Sequence, residues 1–154
     1  MALHKQDFLM RQIQFLTQIL QQIIFKKNQN KQQEAVDEIN DAFRRLTQDH
    51  PKEFHNLTLE ETVSFFERQG KFQSELAVAV ADLLQEEGNM RREKAFSTSQ
   101  KCHAQALILY KKTLQDESAS VPLNIRETIT TLKEKLANSN YLEKIDAVFE
   151  AKNI

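Results

Sequence analysis

One cysteine, two glycines, two prolines and no tryptophan are all that this 154-residue chain contains of those four residue types. A lone Cys102 excludes an intrachain disulfide and favours a reducing compartment, so the expected location is cytoplasmic. Two glycines leave little material for the tight hairpin turns of a β-sheet protein. Apolar runs are only a few residues long, far short of the ~20 that a membrane-spanning helix needs. The N-terminus, Met1 to Asp7, has no apolar signal-peptide core. Charge of one sign is missing too: 21 basic against 22 acidic side chains leave a net −1. That balance argues against the strong positive field of a dedicated nucleic-acid binder.

What is present is rich in glutamate, glutamine, lysine, leucine and alanine, all good helix formers. Apolar residues recur at helical spacing through most of the chain. The fold class read from this pattern is all-α: about seven helices in antiparallel hairpins, forming a tetratricopeptide-like or bundle-like array. Helix one is read over about Asp7 to Lys27, with Asp7 as cap. Leu9, Ile13, Leu16, Leu20, Ile23 and Ile24 share one face, and Phe8, Phe15 and Ile19 widen it to about half the cylinder. A stripe that wide normally touches two neighbours. Gln12 falls inside the stripe and needs amide partners if buried. Arg11, Gln14, Gln18 and Gln21 lie opposite. Helix two, about Lys31 to Gln48, turns Val36, Ile39, Ala42, Phe43 and Leu46 inward. Asp41 and Arg45 stand at a favourable spacing of four, and Asp49-His50-Pro51 closes the helix.

Thr58-Leu59-Glu60-Glu61 reads as a capping box opening helix three, which Gly70 is placed to end in the left-handed conformation. Helix four is expected from Lys71 to Glu87, with Phe72, Leu76, Ala79, Val80 and Leu83 on one face, and Gly88-Asn89 as the turn after it. Helix five, Met90 to Gln115, carries a seam of Ala95, Ser99, Cys102, Ala106 and Leu109 that suits a close helix pair. Asp116 to Ser120 is a linker. Ser120 and Pro122 resemble a helix start, and helix six presents Val121, Ile125, Ile129, Leu132 and Leu136. Helix seven presents Tyr141, Ile145, Val148 and Phe149. The expected organisation is a helical domain over 1–115, with a tetratricopeptide-like hairpin at about 71–115, and a C-terminal helix pair over 121–154 packing on the same domain.

No chemistry-bearing constellation stands out, so the chain is read as not an enzyme, with no catalytic, cofactor-binding or metal-ligating residue assigned. His50 and His55 with Glu53 would hold a metal only if their loop folded back, and the simpler reading is a solvated loop. A structural zinc site wants four ligands, usually several of them cysteines. The Glu-x-x-His pattern of di-metal bundles does not occur. Cys102 and His103 are adjacent and point about 100° apart on a helix, so Cys102 reads as a small core residue and not as a nucleophile beside its base. The carboxylate pairs read as solvated helix faces. The basic clusters at Lys26, Lys27 and Lys31 and at Arg91, Arg92 and Lys94 lack interleaved aromatics.

His103-Ala104-Gln105-Ala106-Leu107-Ile108-Leu109-Tyr110 is similar to the aromatic-x-x-Ala-Leu stretch in the second helix of a tetratricopeptide unit, with His103 in the aromatic's place and Ser99 at the small position one turn earlier. About ten residues separate Gly88 from Ser99, more than that repeat has, and no second copy follows at a period near 34. The chain as a whole resembles a bacterial family of helical, tetratricopeptide-like proteins with no assigned activity. The matching stretches are Phe8-Leu9-Met10-Arg11-Gln12-Ile13, Ala35-Val36-Asp37-Glu38-Ile39-Asn40-Asp41-Ala42, Leu83-Leu84-Gln85-Glu86-Glu87-Gly88 and Ala106-Leu107-Ile108-Leu109-Tyr110. The resemblance implies an all-helical fold and bacterial origin, and no chemistry.

The unusual feature is glutamine: Gln6, Gln12, Gln14, Gln18, Gln21, Gln22, Gln29, Gln32 and Gln33 crowd the first third. Amides desolvate more cheaply than charges. The expected role is a protein–protein interaction or scaffold module, its partner a protein or peptide, or a second copy paired through helix one. Arg11, Gln14, Gln18 and the exposed polar face of helix four are the candidate contacts. The rivals are a small-molecule binder or enzyme whose site is assembled between helices, favoured by a cavity joining Tyr110, His103 and a carboxylate, and a nucleic-acid-associated protein.

Overall fold

The structure is a computed structural model that describes residues 2–151, with side chains from 7 to 151. Met1, where the N-terminal reading above begins, lies outside the described residues, as do the side chain of Gln6 and the final residues 152–154. Among the described residues the protein is all-α: seven α-helices, one 3-10 turn and one two-stranded ribbon. No described helix is long and apolar enough to cross a membrane. The chain divides into two compact units, Met1–Phe54 and His55–Ile154.

The first unit is the hairpin of α1 (Ala2–Asn28) and α2 (Gln32–Leu46). Asp7 lies within α1 rather than capping it, because the helix already begins at Ala2. Its far end turns on Asn30, whose φ of 62° is left-handed, while Lys31 N–H donates to Lys26 O at 2.8 Å. Asparagine is among the few non-glycine residues that accept this conformation at a helix end. Leu16 and Ile23 of α1 bury against Ala35, Val36, Ile39, Ala42 and Phe43 of α2. Phe54 then stacks on Phe43, centroids 5.1 Å apart. Lys26 and Glu38 pair across the hairpin. Asp41 reaches Arg44 at 2.8 Å instead of Arg45, whose guanidinium lies over the Phe15 ring at 4.4 Å.

The second unit is built around α5 (Phe96–Gln115), which packs against α3 (Leu59–Phe65), α4 (Ser74–Arg91), α6 (Ile125–Lys135) and α7 (Tyr141–Ala151). Every residue from Cys102 to Tyr110 is buried. The expected seam is therefore only part of what α5 buries, since from Cys102 to Tyr110 it is enclosed on all sides. His103 and Gln105 interrupt its apolar pattern and are buried as well, and Gln105 donates to Thr62 Oγ1 at 3.0 Å. Thr58 and Glu61 form the expected capping box, at 3.1 and 2.9 Å. Ile125, Ile129, Leu132 and Leu136 are buried as the spacing predicts.

Three local readings are corrected. Gly70 does not end α3, which stops at Phe65; Glu67–Arg68 and Lys71–Phe72 pair as an antiparallel ribbon. Gln69 and Gly70 form its two-residue turn at φ 55° and 76°, successive positive values of the kind one of the two common hairpin turns of this length requires. Phe72 thus sits on a strand, edge-on to buried Phe66 at 6.3 Å. Gly88-Asn89 is not a turn: α4 runs on to Arg91 and the break falls at 92–95, so Met90 belongs to α4 and α5 begins at Phe96. The reason is that Gly88 serves close packing: a Cβ there would lie 2.5 Å from the His103 ring. Finally, α6 starts at Ile125, and Val121 is exposed together with Leu123.

Candidate functional site

The first unit's site follows from what α2 fails to cover. Only Leu16 and Ile23 of the half-cylinder on α1 are fully buried, both on the line facing α2. Leu9, Ile13, Phe15, Ile19 and Leu20 are half-buried. Phe8, Met10, Ile24 and Phe25 are exposed, Phe8 by 56% and Phe25 by 61%. From Gln12 to Phe25, fourteen residues, α1 carries no charged side chain on any face, a belt about 21 Å long. Water-facing helices ordinarily carry charge there.

Of the three residues read from the sequence as contacts, all are exposed. Arg11 joins Phe8, Gln12, Phe15, Leu16 and Arg45 around a groove of about 370 Å³. Gln14 and Gln18 do not line it. Gln12 is half-buried, and its Oε1 has no hydrogen-bond partner among the described residues. An acceptor withdrawn from water in this way costs about 1–3 kcal/mol until a donor meets it.

In the second unit, the fold assembles two polar groups that no linear spacing foretells. His55 follows Phe54 in the 3-10 turn and turns inward, its Nε2 2.8 Å from Oε1 of the wholly buried Glu87. Arg91, one helical turn on, donates to Glu87 Oε2 at 2.7 Å. Cys102 of α5 completes the group: the ligand atoms of His55, Glu87 and Cys102 all lie within 4.8 Å of one another. Burial, then the Glu87 charge, pushes the Cys102 thiol well above its ordinary value. It is neutral and a poor nucleophile as the chain stands. The loop set read from the sequence is not brought together: His50 Nδ1 accepts from Lys52 N–H at 3.0 Å, and Glu53 is exposed.

The second group surrounds His103. Lys135 Nζ meets Asn89 Oδ1 at 2.6 Å, and His103 Nε2 lies 3.2 Å from the same oxygen. Lysine only donates, so that atom is the amide carbonyl and His103 Nε2 carries the ring proton. Nδ1 is left as a bare acceptor with no partner among the described residues. Burial, then the charges of Lys135 and Arg92, lower the ring's pKa to about 4. His103 lines a cavity of about 480 Å³ with Arg92, Phe96, Gln100, Lys135 and Tyr141. Tyr110 is not part of it; its hydroxyl donates to Asp82.

No family model matches the chain, and neither a curated protein nor a solved structure is significantly similar to it.

Proposed function

We propose that the protein is a cytoplasmic interaction module that pairs through α1, with a second copy of this chain as the occupant of the uncovered face. The charge-free belt from Gln12 to Phe25 is the observation that carries this reading. A charged face repels its own copy, whereas a glutamine face is its own complement, since each amide both donates and accepts. Two copies related by a two-fold axis would lay the half-covered apolar flanks of α1 together, with Gln14 and Gln18 at the rim. The tetratricopeptide-like hairpin of α4 and α5 belongs, on this reading, to a scaffold that acts by contact and not by catalysis.

Sedimentation equilibrium across the micromolar range tests the pairing. The expected result is a concentration-dependent dimer that Ile24→Glu and Phe25→Glu convert to monomer, with helicity unchanged because both side chains are exposed. A strict monomer at every concentration would rule the reading out.

A second reading, a small-molecule site in the second unit, is favoured by the cavity that His103 lines with Arg92 and Lys135. Such a site would take a small anion, held by Arg92 and Lys135. Small carboxylic acids are expected to raise the unfolding temperature of the protein but not of Arg92→Gln; no shift with any of them counts against it.

A further inference from the structure

We propose that His55 Nε2, Glu87 Oε1 and Cys102 Sγ form a binding site for a zinc-class divalent ion. The three donors come from three separate elements, the 3-10 turn, α4 and α5, and meet with their ligand atoms within 4.8 Å of one another. In a tetrahedral site with Zn–N and Zn–O near 2.0 Å and Zn–S near 2.3 Å, neighbouring ligand atoms stand roughly 3.3–3.5 Å apart. The observed 2.8 Å between His55 Nε2 and Glu87 Oε1 therefore needs to open by only about half an ångström to admit the ion. Cys102 Sγ, within 4.8 Å of both other donors, has at most about 1.3 Å to close.

The donor set selects the metal. Imidazole, carboxylate and thiol together suit zinc and its borderline neighbours, and a thiol is a poor ligand for magnesium or calcium. Glu87 is already oriented: Arg91 holds Oε2 at 2.7 Å and leaves Oε1 for the ion. An outer hydrogen bond of this kind fixes the ligand and partly sets affinity. The protein supplies three ligands, so a water takes the fourth position. It can approach from the side of His55 and Arg91, whose side chains are each 23% exposed, while Glu87 is wholly buried. Binding exchanges the Cys102 S–H bond for a metal–sulfur bond and releases that proton to solvent, while His55 gives up the Nε2 proton it donates to Glu87 and carries one at Nδ1 instead. The thiolate and Glu87 together then neutralise the ion's two charges. Because the thiol must lose its proton, affinity rises with pH.

Cys102 is the one cysteine in the chain, and this makes the test specific. Cobalt(II) is titrated into the full chain after chelator treatment. The expected result is a sulfur-to-cobalt charge-transfer band in the near ultraviolet that saturates at one equivalent and is displaced by zinc. The band is expected to vanish in Cys102→Ser, and affinity to fall by more than tenfold in His55→Gln, whose change lies on a partly exposed turn. Circular dichroism confirms that each variant is folded. Metal uptake without a sulfur band, which is what the other histidines would give, overturns the proposal. So does a band whose affinity is unchanged in His55→Gln.

Discussion

Gly88→Ala is expected to destabilise the second unit by about 2–3 kcal/mol, the cost of forcing an extra carbon into a filled core. Local propensity alone points the other way, since alanine in a helix interior is favoured over glycine by about 1 kcal/mol. The tertiary effect prevails because the added Cβ would lie 2.5 Å from both Cδ2 and Nε2 of His103. Nor can the ring retreat freely: it is 1% exposed, and Nε2 is held by Asn89. Urea unfolding should show a lower midpoint with an unchanged slope. The decisive comparison is a double-mutant cycle. In a His103→Ala background the obstructing ring is gone, and Gly88→Ala should become neutral or stabilising. If the glycine substitution costs the same in both backgrounds, the contact is not what makes glycine necessary there.

Acidification should cost this protein stability through the same histidine. His103 has a folded pKa of about 4 against an ordinary 6.5. Between those values the unfolded chain binds a proton that the folded chain refuses, so stability rises with pH across that window. The contribution is complete above about pH 6.5 and is lost as pH falls towards 4. A difference of about 2.5 units corresponds to roughly 3 kcal/mol. Asp82 works in the opposite sense, because burial raises its carboxyl. The clean measurement is therefore the difference between the protein and His103→Gln, followed by urea midpoint from pH 7 to 4 in the presence of a chelator. The parent should lose stability more steeply than the variant. Parallel profiles would mean that the imidazole titrates in the folded state as it does in water.

Both results depend on α5, where reading the sequence succeeded in part. Ala106, Leu107 and Leu109 mark it as a core helix at once. His103 and Gln105 stand out on the same helix, because polar residues usually face water. They are buried where Asn89 and Thr62, from α4 and α3, each meet one polar atom of theirs. Partners 14 and 43 residues away leave no mark in a helical period. Gly88 misled for a related reason. A glycine followed by asparagine is a good helix stop, and it also suits a helix pressed against a buried ring; only the ring's position separates the two. The His55–Glu87–Cys102 group was illegible too: no ligand spacing links residues 32 and 15 positions apart.

The sequence by itself determined that this protein is a set of amphipathic helices, where most of them lie, and that α1 carries more apolar surface than one neighbour can cover. Those are properties of the local 3.6-residue period and of composition, which every segment carries within itself. The tertiary structure alone decided that α5 is enclosed from Cys102 to Tyr110, that Gly88 is a point of close approach, and that His55, Glu87 and Cys102 stand together. Such facts depend on which distant segments meet. A helix face specifies that it must be covered, by about 25 cal/mol for each Å² of apolar surface, but that non-directional force does not specify which atoms will cover it.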